Sequence, residues 1–168
     1  MTVAQLNAAD RAQFIASIGF AFENSPWIAQ SAWDRRPFAD VDDLFGALLG
    51  VLDGASNEQR LALIAAHPDL AGRVARGGRL TAASRDEQSA AGLDRLTAQE
   101  LARFCELNAT YRNRFGFPFV ICAREQTTAS ILRELDRRSQ NERENEIATA
   151  LAEIGKIARL RLKDVLTP

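Results

Sequence analysis

The sequence predicts an all-α protein, a single-domain bundle of about seven helices over residues 1–168, interrupted by one extended apolar segment. Three observations predict it. Apolar residues recur at spacings of three and four almost throughout. Ser or Thr followed three positions on by Gln or Glu, the spacing of a capping box, recurs ahead of apolar runs. One stretch alone, around Phe117 to Ala123, breaks the helical period.

Taken in order, Asn7 or Asp10 caps a first helix with Phe14, Ile15 and Ile18 on one face and Gly19 near its end. Glu23-Asn24-Ser25-Pro26-Trp27 reads as a turn-rich stretch, because proline resists helix continuation. Asp40 starts a helix through Leu44, Phe45, Leu48, Leu49 and Leu52, closed by Asp53-Gly54. Ser56 and Gln59 open the next, with Leu61, Leu63 and Ile64, and it ends at Ala66 or His67 because Pro68 turns the preceding residue away from the helical region. Gly72, Gly77 and Gly78 punctuate an arginine-bearing connection, after which Ser84 and Glu87 open a short helix that stops near Gly92. Thr97 and Glu100 open a longer one through Leu101, Phe104, Leu107 and Tyr111, with Gly116 as its C-terminal cap. Phe117-Pro118-Phe119-Val120-Ile121-Cys122-Ala123 is apolar, aromatic and β-branched but contains proline, so it is read as buried and extended outside a sheet. Helices over 128–138 and 141–163 finish the chain, the last with Ile147, Leu151, Ile154, Ala158 and Leu162 on one stripe.

Composition narrows the classes of function. Hydrophobic residues at 46% and charged residues at 26% are ordinary for a soluble globular chain. A net charge of -1 gives no global field toward nucleic acid or an anionic membrane. Lysine occurs only at Lys156 and Lys163, so the positive charge is almost all arginine; that suits planar anions, and codon bias would give the same skew. The two cysteines, Cys105 and Cys122, form no metal-ligand spacing and no stapled scaffold. With neither a signal-like N-terminus nor an apolar run near bilayer length, the expected location is the cytoplasm. There is no internal repeat or low-complexity tract.

His67 is the only histidine. At a helix end a cation is favoured by the helix dipole, and imidazole titrates near neutral pH. The residue is either a cap for its own helix or a proton carrier facing a cleft. One histidine with no ligand spacing argues against a zinc site, and no serine sits in a nucleophile-elbow sequence. Glu87 is equally two-sided: it closes a capping box with Ser84, the reading the local sequence favours, or it faces His67. Ser84 and Gln88 place polar groups where helix-start N–H groups receive anions. Arg124, Arg159 and Arg161 could meet a carboxylate, though each reads locally as a solvated surface charge.

Four segments together resemble a known family. His67-Pro68-Asp69-Leu70-Ala71-Gly72 is similar to its His-Pro-Asp-Leu element, and Ser84-Arg85-Asp86-Glu87-Gln88-Ser89-Ala90-Ala91-Gly92-Leu93 to its Ser-x-x-Glu-Gln-x-x-Ala-Gly-Leu element. Leu107 to Phe119 matches Leu-Asn-x-x-Tyr-x-x-x-Phe-Gly-Phe-Pro-Phe, and Ser25-Pro26-Trp27 fits an upstream element. These are features of the 2-oxo-4-hydroxy-4-carboxy-5-ureidoimidazoline (OHCU) decarboxylases. The resemblance runs from about Glu23 into the last helix.

That resemblance implies an all-helical fold and decarboxylation of OHCU to (S)-allantoin, in urate breakdown, with no metal or organic cofactor. It implies His67 as catalytic acid and Glu87 as its partner. Pro68, Ser84, Gln88 and the backbone of Phe119, Val120, Ile121, Cys122 and Ala123 would line the substrate pocket, and Arg161 would bind substrate. The only partner expected beyond that small molecule is a second copy in a homodimer, with neither nucleic acid nor membrane. Two other readings compete. Arg73, Arg76, Arg79 and Arg85 could touch phosphates in a helical DNA-binding module, against which stand the near-neutral charge and the lack of a basic recognition helix. An inactive homologue kept for binding is disfavoured by the retained His67 and Glu87.

Overall fold

The computed structural model describes residues 1–70 and 96–167, and among these the regular structure is helical. The helices are α1 (Val3–Ala8), α2 (Arg11–Ile18), α3 (Trp27–Ala32), α4 (Val41–Asp53), α5 (Asn57–Ala66), α6 (Ala98–Phe115), α7 (Thr128–Arg138) and α8 (Arg143–Val165). The one β-type pairing among the described residues is a single bridge between Thr2 and Thr167. The helix expected from Ser84 to Gly92 lies outside the described residues.

The capping chemistry explains where the helices start. Thr97 accepts from the Glu100 N–H while Glu100 accepts from the Thr97 N–H, closing both halves of the box ahead of α6. Those hydrogen bonds hold the Glu100 carboxyl below its ordinary range. Ser56 and Gln59 do the same for α5, and Asp10, not Asn7, does it for α2 with Gln13. Asn7 lies inside α1, where its amide brackets both backbone groups of Phe38. Gly116 ends α6 at φ 80°, a left-handed conformation that costs glycine nothing, with its N–H on the Arg112 carbonyl at 2.8 Å.

Two short helices, α1 and α3, were not visible in the periodicity. Six residues hold too few apolar positions to establish a period, and α3 starts directly after Pro26, a residue suited to a helix's first turn. Asn24, at φ 47°, makes the expected turn immediately before it.

The described chain divides into two compact units, Met1–Ala66 with Gly155–Pro168, and His67–Ile154. In the first, Leu6, Phe14, Ile18, Ile28, Leu44, Leu48 and Leu162 are buried. Phe14 packs edge-on to Trp33 at 5.3 Å, and the Arg36 guanidinium lies over the Trp33 ring. In the second, Phe104 is buried, and the buried rings of Tyr111, Phe115, Phe117 and Phe119 form an aromatic cluster in which Tyr111 meets Phe119 edge-on at 5.2 Å. The extended segment is where it was expected: Phe117 to Ala123 is buried, with no strand partner among the described residues.

On the last helix Ile154, Ala158 and Leu162 of the expected stripe are buried and Ile147 and Leu151 are half-buried, and Glu146, Ala150, Glu153, Ile157 and Arg161 are buried beside them. The inner stripe therefore carries three charged residues, and each is matched. Glu146 accepts from Arg138 Nε at 2.9 Å, Arg138 Nη2 at 2.6 Å and Asn141 Nδ2 at 2.7 Å, and also from the Tyr111 hydroxyl. The Arg138 and Glu146 side chains are 1% and 0% exposed, so their pairing is governed by desolvation and not by solvent screening.

Breaking that pair should cost far more than trimming it. Arg138→Met is expected to lose about 3–5 kcal/mol in urea unfolding, because Glu146 keeps its burial and loses its cation. Tyr111→Phe removes one hydrogen bond to a charged acceptor and is expected to lose about 1.5–3 kcal/mol. Burial first, then the hydrogen bond to Glu146, pushes the Tyr111 phenol well above the usual tyrosine range. The folded state therefore favours the protonated phenol, whose contribution is complete below the unfolded pKa of about 10 and fades as pH rises past it. Alkaline unfolding scans should show a steeper loss above about pH 10 in the wild type than in Tyr111→Phe.

Candidate active site

Helix α5 stops at Ala66, as Pro68 requires, and His67 is the first residue beyond it. Its side chain is buried. Asp69 then pairs with Arg112 of α6, which pins the turn after His67 to that helix. Pro68 is half-buried. Ser84, Glu87 and Gln88 lie outside the described residues, as do Arg73, Arg76, Arg79 and Arg85.

The extended segment shares the second unit with His67 and Pro68. Its backbone is held by side chains instead of by a sheet. Arg138 Nη1 donates to the Val120 carbonyl at 2.9 Å, and the Cys122 N–H donates to Glu153 Oε2 at 2.8 Å. The Arg138 guanidinium also lies 4.4 Å from the centre of the Phe119 ring. Beyond Cys122 the chain turns, with Glu125 N–H on the Cys122 carbonyl and Gln126 N–H on the Ala123 carbonyl.

Arg161 corrects its local reading as a surface charge. It is buried on α8 in the first unit, with Nη1 at 2.9 Å from Glu23 Oε2 and 3.4 Å from the Phe20 carbonyl. Arg159, by contrast, is exposed and pairs with Asp42 at 2.6 Å, and Arg124 is exposed. Sequence reasoning missed Glu23, Arg138, Glu146 and Glu153. The available signal was the placement of Glu146, Glu153 and Arg161 at spacings of seven and eight, which puts all three on one helix face. Among the described residues no group of three or more His, Cys, Asp or Glu side chains is arranged to hold a metal ion. Likewise, none of the described helices is long and apolar enough to cross a membrane.

The sequence profile of OHCU decarboxylase matches residues 7–163. The chain belongs to the OHCU decarboxylase family. It is 42% identical over 166 residues to the 2-oxo-4-hydroxy-4-carboxy-5-ureidoimidazoline decarboxylase of Mus musculus, covering 99% of this chain and 93% of that one. The protein of the same name from Halalkalicoccus jeotgali is 38% identical over 168 residues, covering 100% and 93%. Among solved structures, that of an (S)-allantoin synthase superposes with a TM-score of 0.81 at 29% identity, covering 99% of this chain and 54% of that one. The family match takes in all the residues assigned to the site, from His67 to Arg161.

The Arg161–Glu23 pair yields a test of its own. Glu23→Ala removes the carboxylate facing a buried guanidinium and is expected to lose about 3 kcal/mol in chemical denaturation. A loss below about 1 kcal/mol would place the pair with weakly contributing surface bridges.

Proposed function

We propose that this protein converts OHCU to (S)-allantoin with His67 as the proton donor, Glu87 as its partner, and no resident cofactor. Membership of the family over residues 7–163 is the observation that carries the reaction: the protein is a decarboxylase of urate degradation. The assignment of the donor is supported by a buried histidine, the only one in the sequence, placed where the chain leaves α5.

The substrate's own functional groups make the chemistry feasible. Breaking the bond from the ring carbon to the carboxylate releases carbon dioxide and leaves the electron pair on a carbon that also bears a hydroxyl. That pair forms a carbon–carbon double bond to the neighbouring imine carbon while the imine nitrogen takes up a proton, giving an enol, so the ring itself serves as electron sink. Ketonisation then turns the hydroxyl into a carbonyl and places a proton on the ureido-bearing carbon, whose configuration is set by the face the proton arrives on. The protein has three tasks: to keep water from the carboxylate, to stabilise the developing oxyanion, and to deliver one proton to one face. His67 performs the last, and a carboxylate from Glu87 beside it would favour the imidazolium that gives the proton.

The backbone of Phe119 to Ala123, with Pro68, Ser84 and Gln88, lines the pocket in this proposal. Peptide N–H and C=O groups suit a ligand built almost wholly of ureido and amide functions. Arg161 is assigned to substrate binding, with Glu23 fixing its guanidinium. The protein works in the cytoplasm in this reading. The assembly in this reading is a homodimer, to which Met1, Phe20 and Val165, the exposed large apolar side chains among the described residues, could contribute.

Circular dichroism of the allantoin formed from freshly generated OHCU tests the proposal. Wild-type protein is expected to give the (S)-enantiomer faster than spontaneous decay. His67→Asn should abolish turnover, a loss on the order of 10²–10⁴-fold or more, with the fold intact. A fully active His67→Asn removes the histidine from the mechanism, and an unfolded one makes it structural. Glu87→Gln should lose most activity with little change in stability, since glutamine also closes a capping box. Wild-type turnover there would return Glu87 to a capping role.

A further inference from the structure

We infer that Glu153 and Arg138 are positioning residues for the reaction: between them they fix the Val120–Cys122 backbone so that Ile121 turns its peptide groups toward the substrate. This rests on the reading of Phe119 to Ala123 as the segment that lines the pocket.

An extended segment inside a sheet has its register set by the ladder of its neighbours. Here the segment is buried and has no ladder among the described residues, so something else must fix its position along its own axis and its rotation about that axis. Two hydrogen bonds do so. Arg138 donates to the Val120 carbonyl at 2.9 Å, and Glu153 accepts from the Cys122 N–H at 2.8 Å. In extended backbone the polar groups of alternate residues point the same way, so Val120 and Cys122 are gripped along one edge and Ile121 addresses the opposite one. Among the described residues no hydrogen bond reaches the backbone N–H or carbonyl of Ile121.

Both grips are charged, and both side chains are buried. Charged partners make shorter and stronger hydrogen bonds to peptide groups than neutral ones, which narrows the backbone's positional freedom. Glu146 and Glu153 lie seven residues apart on the inner face of α8, so the carboxylate that orients Arg138 and the one that holds Cys122 project from one rigid element. Arg138 is itself constrained by two hydrogen bonds to Glu146 and by the Phe119 ring. A binding group needs to be held to within about 0.5 Å, and a displacement of about 1 Å can cost on the order of 10²-fold in rate.

The experiment compares Glu153→Ala, Glu153→Gln and Arg138→Lys for kcat, KM and the enantiomeric purity of the allantoin formed. Glu153→Ala is expected to lower kcat/KM by about 10–100-fold and to erode enantiomeric purity, because a shifted backbone presents the wrong face to the proton donor. Glutamine offers an amide oxygen to the same N–H and should restore most of both. Arg138→Lys keeps a cation for Glu146 but loses the second arm that reaches Val120, and should reproduce the alanine signature. Wild-type kcat, KM and purity in Glu153→Ala, or equal damage from alanine and glutamine, would overturn the inference. Amide exchange at Ile121 separates it from the reading beneath it. In the wild type, (S)-allantoin is expected to slow exchange there, and in Glu153→Ala that protection should weaken. No protection in the wild type sinks the pocket reading and the inference together. Protection that persists unchanged in Glu153→Ala sinks the inference alone.

Discussion

A carboxylate taken out of water must be met by cations and donors, and in this protein Glu146 imposes that constraint on much of its unit. It sits fully buried on α8 and draws in Arg138 from the end of α7, Tyr111 from α6 and Asn141 from the intervening turn. Arg138 in turn reaches the Val120 carbonyl. One charge therefore ties three helices and the extended segment to a common point. Hydrophobic packing in the same unit is generic by comparison: the buried Phe104, Ile131 and Leu135 would tolerate small shifts that the fork of Arg138 would not.

What the sequence made legible and what it hid follow from the kind of physics each feature uses. Local chemistry could be read directly. Thr97 with Glu100, Ser56 with Gln59, and Gly116 at the end of α6 act within four residues, and each behaves as its spacing implied. The extended segment was legible because proline and aromatic residues in one apolar run fit no helix. On α8 the buried stripe was legible from Ile154 onward, but the buried charged residues beside it were not. Reading periodicity assumes that charged residues face solvent, and here Glu146, Glu153 and Arg161 do not. Their partners Arg138 and Glu23 lie 8 and 138 residues away in sequence, and no local rule connects them. α1 and α3 were missed for a different reason, since their six residues leave no room for a period to show.

The candidate site divides along the same line. His67 was legible because it is unique, follows a helix and precedes a proline, three facts confined to adjacent residues. Phe119 to Ala123 was legible as a segment, but not the means by which it is held. Arg161 was assigned through resemblance while its local context argued for an exposed charge; the structure shows it buried against Glu23. Candidate catalytic groups announce themselves by type and position. The residues that support them sit in ordinary helical surroundings and emerge only once the fold has brought them into contact.

Stability alone is a poor reason for so much buried charge. Replacing a buried ion pair with well-packed apolar residues of similar volume is often neutral or stabilising, by up to several kcal/mol, so selection for a firmer core would tend to remove Arg138 and Glu146 together. An apolar pair in their place could fill the same volume, but it could not donate to the Val120 carbonyl, nor could an apolar residue at 153 accept from Cys122. Those two backbone groups would then be buried without partners, and the segment would have to shift to satisfy them. The network is the means of keeping an irregular stretch of backbone, the one proposed to line the pocket, inside a helical protein. A sheet would satisfy the peptide groups along both edges; here charged side chains satisfy those of Val120 and Cys122 along one edge, and the other is the edge the proposal gives to the substrate.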